Sequence, residues 1–171
     1  PADRHPGVMT AATVLRVLEL LRAADVAVWI AGGWGIDALV GRQTRTHEDL
    51  DLLHNVEHED RAVQVLADNG FRLTLDLRPV RFVLTGPGAA QLDLHPLAFA
   101  PDGSAVQAAD DAGGTFDYPA ECFVTGRIGR TEVPCVSTAQ QIHFHQGYQP
   151  RARDLHDMAQ LRAAFGVSTH F

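Results

Sequence analysis

No stretch of the chain approaches the roughly 20 consecutive apolar residues needed to cross a bilayer. The N-terminal Pro-Ala-Asp-Arg-His-Pro-Gly also lacks the basic-then-apolar pattern of a signal peptide. Together these absences predict a cytoplasmic protein with no membrane partner. Cysteine is scarce: Cys122 and Cys135 are the only two, too few for a disulfide framework, and they read as buried thiols in a reducing compartment. Positive charge is short as well, with 14 Lys and Arg against 21 Asp and Glu and a formal net charge of -7. That is the wrong sign for a surface that must displace counterions from duplex nucleic acid. It is compatible with a cationic small substrate, or with solubility alone. There is no internal repeat and no low-complexity segment. Zinc chelation by His143-Phe144-His145 is excluded too, since residues i and i+2 of a helix do not share a face.

What is present is ample apolar material. Hydrophobic residues make up 46% of 171, enough for one domain over residues 1–171 with a sizeable core. Residues 1–8 are polar and broken by Pro6 and Gly7, and read as a loose tail. Thr10 caps a helix with the stripe Val14, Leu15, Leu18 and Leu21, ending near Ala24. An apolar strand over 26–31 meets Gly32-Gly33, and a short helix over 34–40 is closed by Gly41. A strand over 48–54 and a helix over 59–69 follow, the helix with Val63, Leu66 and Ala67 inward and Gly70 at its end. Strands are predicted over 71–77, 81–84 and 91–97, the last two joined by Thr85-Gly86-Pro87-Gly88. Residues 100–118, with paired glycines and little periodicity, read as a mobile loop that could wall a substrate pocket. A hairpin follows over 122–128 and 131–136. Ser137 to Gln140 is a capping box opening a helix through Tyr148, and after Pro150 the last helix covers 152–165, ended by Gly166.

Chemistry concentrates between Gly32 and Leu53. In the strand over 48–54, Leu50 and Leu52 face a core while Asp49 and Asp51 project together from the other face, roughly 6 to 7 Å apart at the usual strand rise. Two carboxylates so close repel, and a divalent cation keeps both ionised. Oxygen ligands favour magnesium over zinc. Upstream, Gly32 and Gly33 let the backbone approach a ligand, and the helix start beyond them offers amides to an anion. Arg42 and Arg45 add positive charge. The pattern recurs in the strand over 91–97, where Leu92 and Leu94 alternate with Gln91, Asp93 and His95. Asp37 is read as a first-turn carboxylate favoured by the helix dipole. Asp154 and Asp157 are read as capping and solvated charge, and Trp34 is left open between core and ligand platform.

Gly-Gly-Trp followed by Gly-Arg-Gln-Thr-Arg-Thr-His-Glu-Asp-Leu-Asp-Leu resembles the signature of antibiotic nucleotidyltransferases in the DNA polymerase beta superfamily. The small lincosamide and aminoglycoside 2''-adenylyltransferases are the nearest in pattern. The similarity continues in Leu92-Asp93-Leu94, in residues 126–137 and more loosely in 151–161, and so covers most of the chain. It implies an α+β fold, a mixed sheet flanked by helices, with a C-terminal helical part over 137–166. It also implies transfer of a nucleoside monophosphate, AMP from ATP, to a hydroxyl of a small antibiotic. Asp49, Asp51 and Asp93 would hold two magnesium ions, and Asp93 would take the acceptor proton. Gly32, Gly33, Arg42, Thr44, Arg45 and His47 would contact the nucleotide, His47 from the face shared with Asp49 and Asp51. Arg151 and Arg153 have room to reach phosphate. His95 stands where the aminoglycoside enzymes carry a glutamate, which shifts the expected acceptor toward a lincosamide and makes His95 a candidate for contact with it. A homodimer is part of the resemblance. The alternatives are an aminoglycoside 2''-O-adenylyltransferase and a protein-modifying or toxin–antitoxin nucleotidyltransferase.

Overall fold

The computed structural model describes residues 7–171. The tail expected over residues 1–8 lies, for residues 1–6, outside the described residues. Gly7 packs against the Gly88 and Ala89 carbonyls, where a β carbon would not fit. The elements, in order, are α1 (Ala11–Ala23), β1 (Val28–Ala31), α2 (Gly32–Val40), β2 (Asp49–Asn55), α3 (Glu59–Asp68), β3 (Arg72–Leu77), β4 (Arg81–Thr85), β5 (Gln91–Phe99), β6 (Ala105–Ala108), β7 (Thr115–Tyr118), β8 (Phe123–Ile128), β9 (Thr131–Val136), α4 (Thr138–Phe144) and α5 (Ala152–Phe165). Several boundaries follow from local chemistry. Thr10 Oγ1 accepts from Thr13 N at 3.2 Å, and Gly41 and Gly166 close α2 and α5 in the left-handed region that favours glycine.

Four expectations are corrected. Residues 100–118 hold the β6–β7 hairpin, which pairs with the end of β5; alternation too short to read in sequence is fixed there by ladder hydrogen bonds between consecutive strands. Helix α4 stops at Phe144 rather than Tyr148, because His145 Nδ1 bonds back to Gln141 O at 2.6 Å and Gly147 turns to φ +78°. Only half of the capping box forms. Ser137 Oγ accepts from Gln140 N at 3.2 Å, but Ser137 N already donates to Cys122 O, and the Gln140 amide reaches Asp117 O instead. In α3, Ala62 and Leu66 are buried, whereas Ala67 is exposed.

Among the described residues nine strands form one mixed sheet, in the order β3-β4-β5-β2-β1-β9-β8, with β6 and β7 attached to β5. The pairs β2–β5 and β1–β9 are parallel and the others antiparallel. On one face Leu50, Leu52, Leu92 and Leu94 are buried beneath Val14, Val17 and Leu21 of α1 and Leu66 of α3. The opposite face carries the carboxylates and then a second cluster of Leu53, Leu97, Tyr118 and Val136, packed by Trp29, Phe123 and Phe144. Helix α5 lies on α2 through Met158, Leu161 and Ile36. Both cysteines are buried and reduced, their thiols pushed up to about 11 by burial. No helix among the described residues is long and apolar enough to cross a membrane.

Gly126 of β8 is what lets α2 sit close: a β carbon there would approach the Ala38 carbonyl oxygen to 2.6 Å. Gly126→Ala is expected to lower stability by about 1–3 kcal/mol through overpacking, read as a lower urea midpoint.

Candidate active site

The parallel register of β2 and β5 sets Asp51 directly opposite Asp93, Asp49 opposite Gln91 and Leu53 opposite His95. One ligand atom each from Asp51, Asp93 and His95 falls within 4.8 Å of the others. Asp49 lies two residues up the same strand face. Strand β1 ends at Ala31, the partner of Asp51, so the first residue of α2 is delivered beside the carboxylates. Gly32 sits at φ +59°, and a β carbon on it would collide with the Asp51 carboxylate. The glycine is required twice over, by its backbone conformation and by the approach.

The charges are poorly balanced without a cation. Burial, and then the charge of Asp51, pushes the Asp49 carboxyl up to about 6, although Arg153 and Arg45 pull the other way. Burial also raises Asp93, opposed by His95 and Arg81. Arg81 Nη1 donates to Asp93 Oδ2 at 3.0 Å, while Oδ1 is buried without a hydrogen-bond partner and faces His95 Nε2 at 3.6 Å. An orphaned, buried carboxylate oxygen beside two further carboxylates fits a hard divalent cation. His95 Nε2 lies 3.4 Å from Asp51 Oδ1, its Nδ1 lies 3.3 Å from the Gln107 amide, and Gln107 Oε1 accepts from Tyr118 at 2.6 Å. Burial works against the His95 imidazolium, but the Asp51 hydrogen bond and the charges of Asp51 and Asp93 together hold it above its ordinary range.

The expected nucleotide residues divide into two groups. Gly32, Gly33 and Arg45 are brought to the carboxylates: a β carbon on Gly33 would strike Arg45 Nη2 and come within 2.8 Å of His47 Nδ1. Arg42, Thr44 and His47 are engaged elsewhere. Arg42 is exposed and donates to Gln160 at 3.1 Å. His47 precedes β2 and lies behind Gly33, not on the face of Asp49 and Asp51; its ring packs on Trp34 at 4.6 Å and its Nε2 meets Asp37 at 2.6 Å. Thr44 gives both its amide, at 3.0 Å, and its hydroxyl, at 2.5 Å, to the same Asp37 carboxylate. Trp34 is a core residue, its indole N–H bonded to Met9 O at 3.1 Å.

Asp37 is therefore no first-turn dipole partner. Helix α2 begins at Gly32, two residues earlier than expected, which places Asp37 in the second turn; its side chain is buried, at 1% exposed. Burial pushes its carboxyl up, but hydrogen bonds from His47 and Thr44 outweigh this and hold it below the usual carboxylate range. Asp154 and Asp157 are likewise buried rather than solvated. Asp154 does cap α5, accepting from Arg151 N at 2.9 Å. Asp157 takes Arg45 in a two-pronged ion pair at 2.8 and 2.9 Å. Sequence reading also missed Arg81, Gln107 and Tyr118. No short-range pattern marks them, because their partners come from other strands.

Two cavities flank the cluster. One of about 280 Å³ is lined by Asp51, His95, Gln107, Phe116, Tyr118 and Phe144 among others. The other, about 740 Å³, includes Asp49, Thr74, Arg81, Gln91 and Asp93 in its lining. Among the described residues, Asp49, Asp51 and Asp93 are the only carboxylates on either wall. A third, largely apolar cavity of about 580 Å³ between α1 and the start of β9 is remote from them.

Residues 13–161 match the profile of the aminoglycoside-2''-adenylyltransferase family. A lincosamide resistance protein from Staphylococcus haemolyticus is 32% identical over 147 residues, 86% of this chain and 91% of that protein. A 2''-aminoglycoside nucleotidyltransferase from Klebsiella pneumoniae is 34% identical over 122 residues, 70% of this chain and 67% of that protein. The lincomycin-bound crystal structure of the lincosamide antibiotic adenylyltransferase LnuA has a TM-score of 0.84 and 30% identity, covering 92% of this chain and 99% of that one.

The Asp49 carboxyl, whose folded pKa is about 6 against an ordinary 3.8, costs stability wherever the fold must ionise it. That cost is absent below about pH 4, grows from about 4 to 6 and is complete above 6. Metal-free Asp49→Asn is expected to melt above the wild type at pH 7.5, the gap closing as pH falls toward 4 and narrowing when magnesium is added. Equal melting temperatures at pH 7.5 would contradict this account of the site.

Proposed function

Because the chain belongs to the aminoglycoside-2''-adenylyltransferase family, we propose that it is a nucleotidyltransferase that transfers AMP from ATP to a hydroxyl of a lincosamide antibiotic, with release of pyrophosphate. The observation that carries this reading is the register that brings Asp51 and Asp93 side by side, with Asp49 two residues away and the N-terminus of α2 against them. Backbone amides at that helix start and the Arg45 guanidinium offer the anionic leaving group a place to collect charge. Magnesium held by Asp49, Asp51 and Asp93 would supply charge neutralisation and a lower pKa for the attacking hydroxyl. Asp93, whose carboxyl is raised by burial, accepts the hydroxyl proton. Arg81 on its second oxygen keeps the carboxylate turned so that the free oxygen faces the cluster.

The choice of acceptor rests on charge. An aminoglycoside carries several ammonium groups, each of which needs an anionic partner once out of water. Both cavity walls have their carboxylates committed to the cluster. The position beside Asp51 is filled by His95 rather than by a further carboxylate, and Phe116, Tyr118 and Phe144 supply apolar wall. These features suit an acceptor with a single amine and a large apolar body. A homodimer belongs to the same reading: β3 is an edge strand whose Leu73, Leu75 and Leu77 are 40–48% exposed, apolar surface that a second copy would cover. Leu75→Asp is then expected to shift the protein to monomer in light scattering.

The activity is tested by pyrophosphate release from ATP and magnesium over a panel of lincosamides and aminoglycosides. Release with lincomycin or clindamycin is expected, lost on addition of EDTA and reduced roughly 10²- to 10⁴-fold in Asp93→Asn with the circular dichroism unchanged. Release with aminoglycosides alone would reassign the acceptor. Magnesium-dependent ATP binding without any release would point to a protein hydroxyl as acceptor.

A further inference from the structure

Helix α5 reaches the glycine turn through one side chain. Asp157, 3% exposed, accepts from Arg45 Nε at 2.8 Å and from Nη2 at 2.9 Å, and Arg45 Nη1 donates to Thr46 O at 3.2 Å. Three of the five guanidinium N–H donors are thereby used, leaving one on each terminal nitrogen for a ligand. Nη2 lies against Gly33, in the first turn of α2, where only the missing β carbon leaves room for it. The Arg45 side chain remains 22% exposed, so its free edge is open to that turn.

The pair is not what holds the loop in place. Thr44 and His47 tie the residues between α2 and β2 to Asp37, and His156 of α5 reaches Thr44 Oγ1 at 3.0 Å. Met158 and Leu161 seat α5 on α2 by apolar contact. With backbone and helix fixed by other means, what Asp157 determines, beside a single bond to the Thr46 carbonyl, is the aim of a long side chain that would otherwise sample many rotamers. A bidentate carboxylate also fixes the guanidinium plane, which a single contact does not.

We infer that Asp157 is a positioning residue that aims Arg45 across Gly33 at the triphosphate, so that nucleotide affinity depends on α5. The inference rests on the reading above that the triphosphate lies at the N-terminus of α2. Its consequence is a division of labour between residues 112 apart in sequence. Arg45 makes the contact, and Asp157, without touching the nucleotide, sets its strength.

The test is calorimetric binding of magnesium–ATP to the full chain, which needs no acceptor, beside the KM for ATP and for lincomycin. Asp157→Asn and Arg45→Ala are each expected to weaken ATP binding about tenfold, the scale of one lost charged hydrogen bond. The double variant should be no weaker than Arg45→Ala, and the lincomycin KM should stay within about twofold. Asp157→Glu keeps the charge but displaces it by one methylene, and should weaken ATP binding in the same direction; it also serves if Asp157→Asn fails to fold. Multiplicative loss in the double variant, or an equal rise in both KM values, would overturn the positioning role while leaving the nucleotide site standing. Unchanged ATP affinity in Arg45→Ala would remove Arg45 from the nucleotide site and the inference with it. A wild type that binds magnesium–ATP but adenylylates no lincosamide bears on the acceptor and not on Asp157.

Discussion

The parallel pairing of β2 with β5 forces like charges together. With Asp51 opposite Asp93 and Asp49 two residues away, side chains that would separate in water are held on one face. The force that holds them is apolar burial on the other: Leu50, Leu52, Leu92 and Leu94, at 0% exposed, are locked under α1 and α3. A shift of one residue in register would turn the leucines to solvent and the aspartates into the core. The electrostatic strain at the site is therefore sustained by packing several ångströms behind it, a common arrangement where function needs a conformation that is not locally favourable.

Around this centre the cations are distributed by role. All 14 basic side chains are arginine, whose planar fork suits carboxylates and phosphates. Arg81 faces Asp93 and holds one oxygen. Arg45 faces the helix start and is itself held by Asp157. Arg153, exposed at the beginning of α5, acts on Asp49 through its charge alone. The loop between α2 and β2 carries Arg45, and its course is set by Asp37, whose buried carboxylate receives three hydrogen bonds from Thr44 and His47. One acid inside α2 thus organises a loop that has no regular structure of its own.

Much of this was legible in the sequence because it is written in short-range signals. Period-two alternation in 48–54 and 91–97 identified the two acidic strands, and Thr10, Gly41 and Gly166 marked helix ends by capping chemistry that acts within four residues. Where the outcome depends on pairing or packing partners, local reading fails. The hairpin over 105–118 exists because β5 extends to Phe99 and offers an edge. A pair of glycines reads as a turn, whereas Gly32 and Gly33 open α2, with Gly32 against Asp51. Asp37 is buried by partners in the loop beyond α2, Thr44 and His47, that no pattern within the helix marks. Asp157 gives no sign in sequence at all, since its meaning comes from an arginine on another element.

The chain from Tyr118 through Gln107 to His95 links the hairpin to the acidic strands. Its members come from β7, β6 and β5, so the same extension of β5 that sequence reading missed also supplies the support for His95. A histidine at that position, flanked by two carboxylates, would otherwise be free to turn toward the aromatic wall. Accepting at Nδ1 from the Gln107 amide, it presents Nε2 to Asp51 and Asp93. Phe116, Tyr118 and Phe144 complete the wall of the cavity beside it.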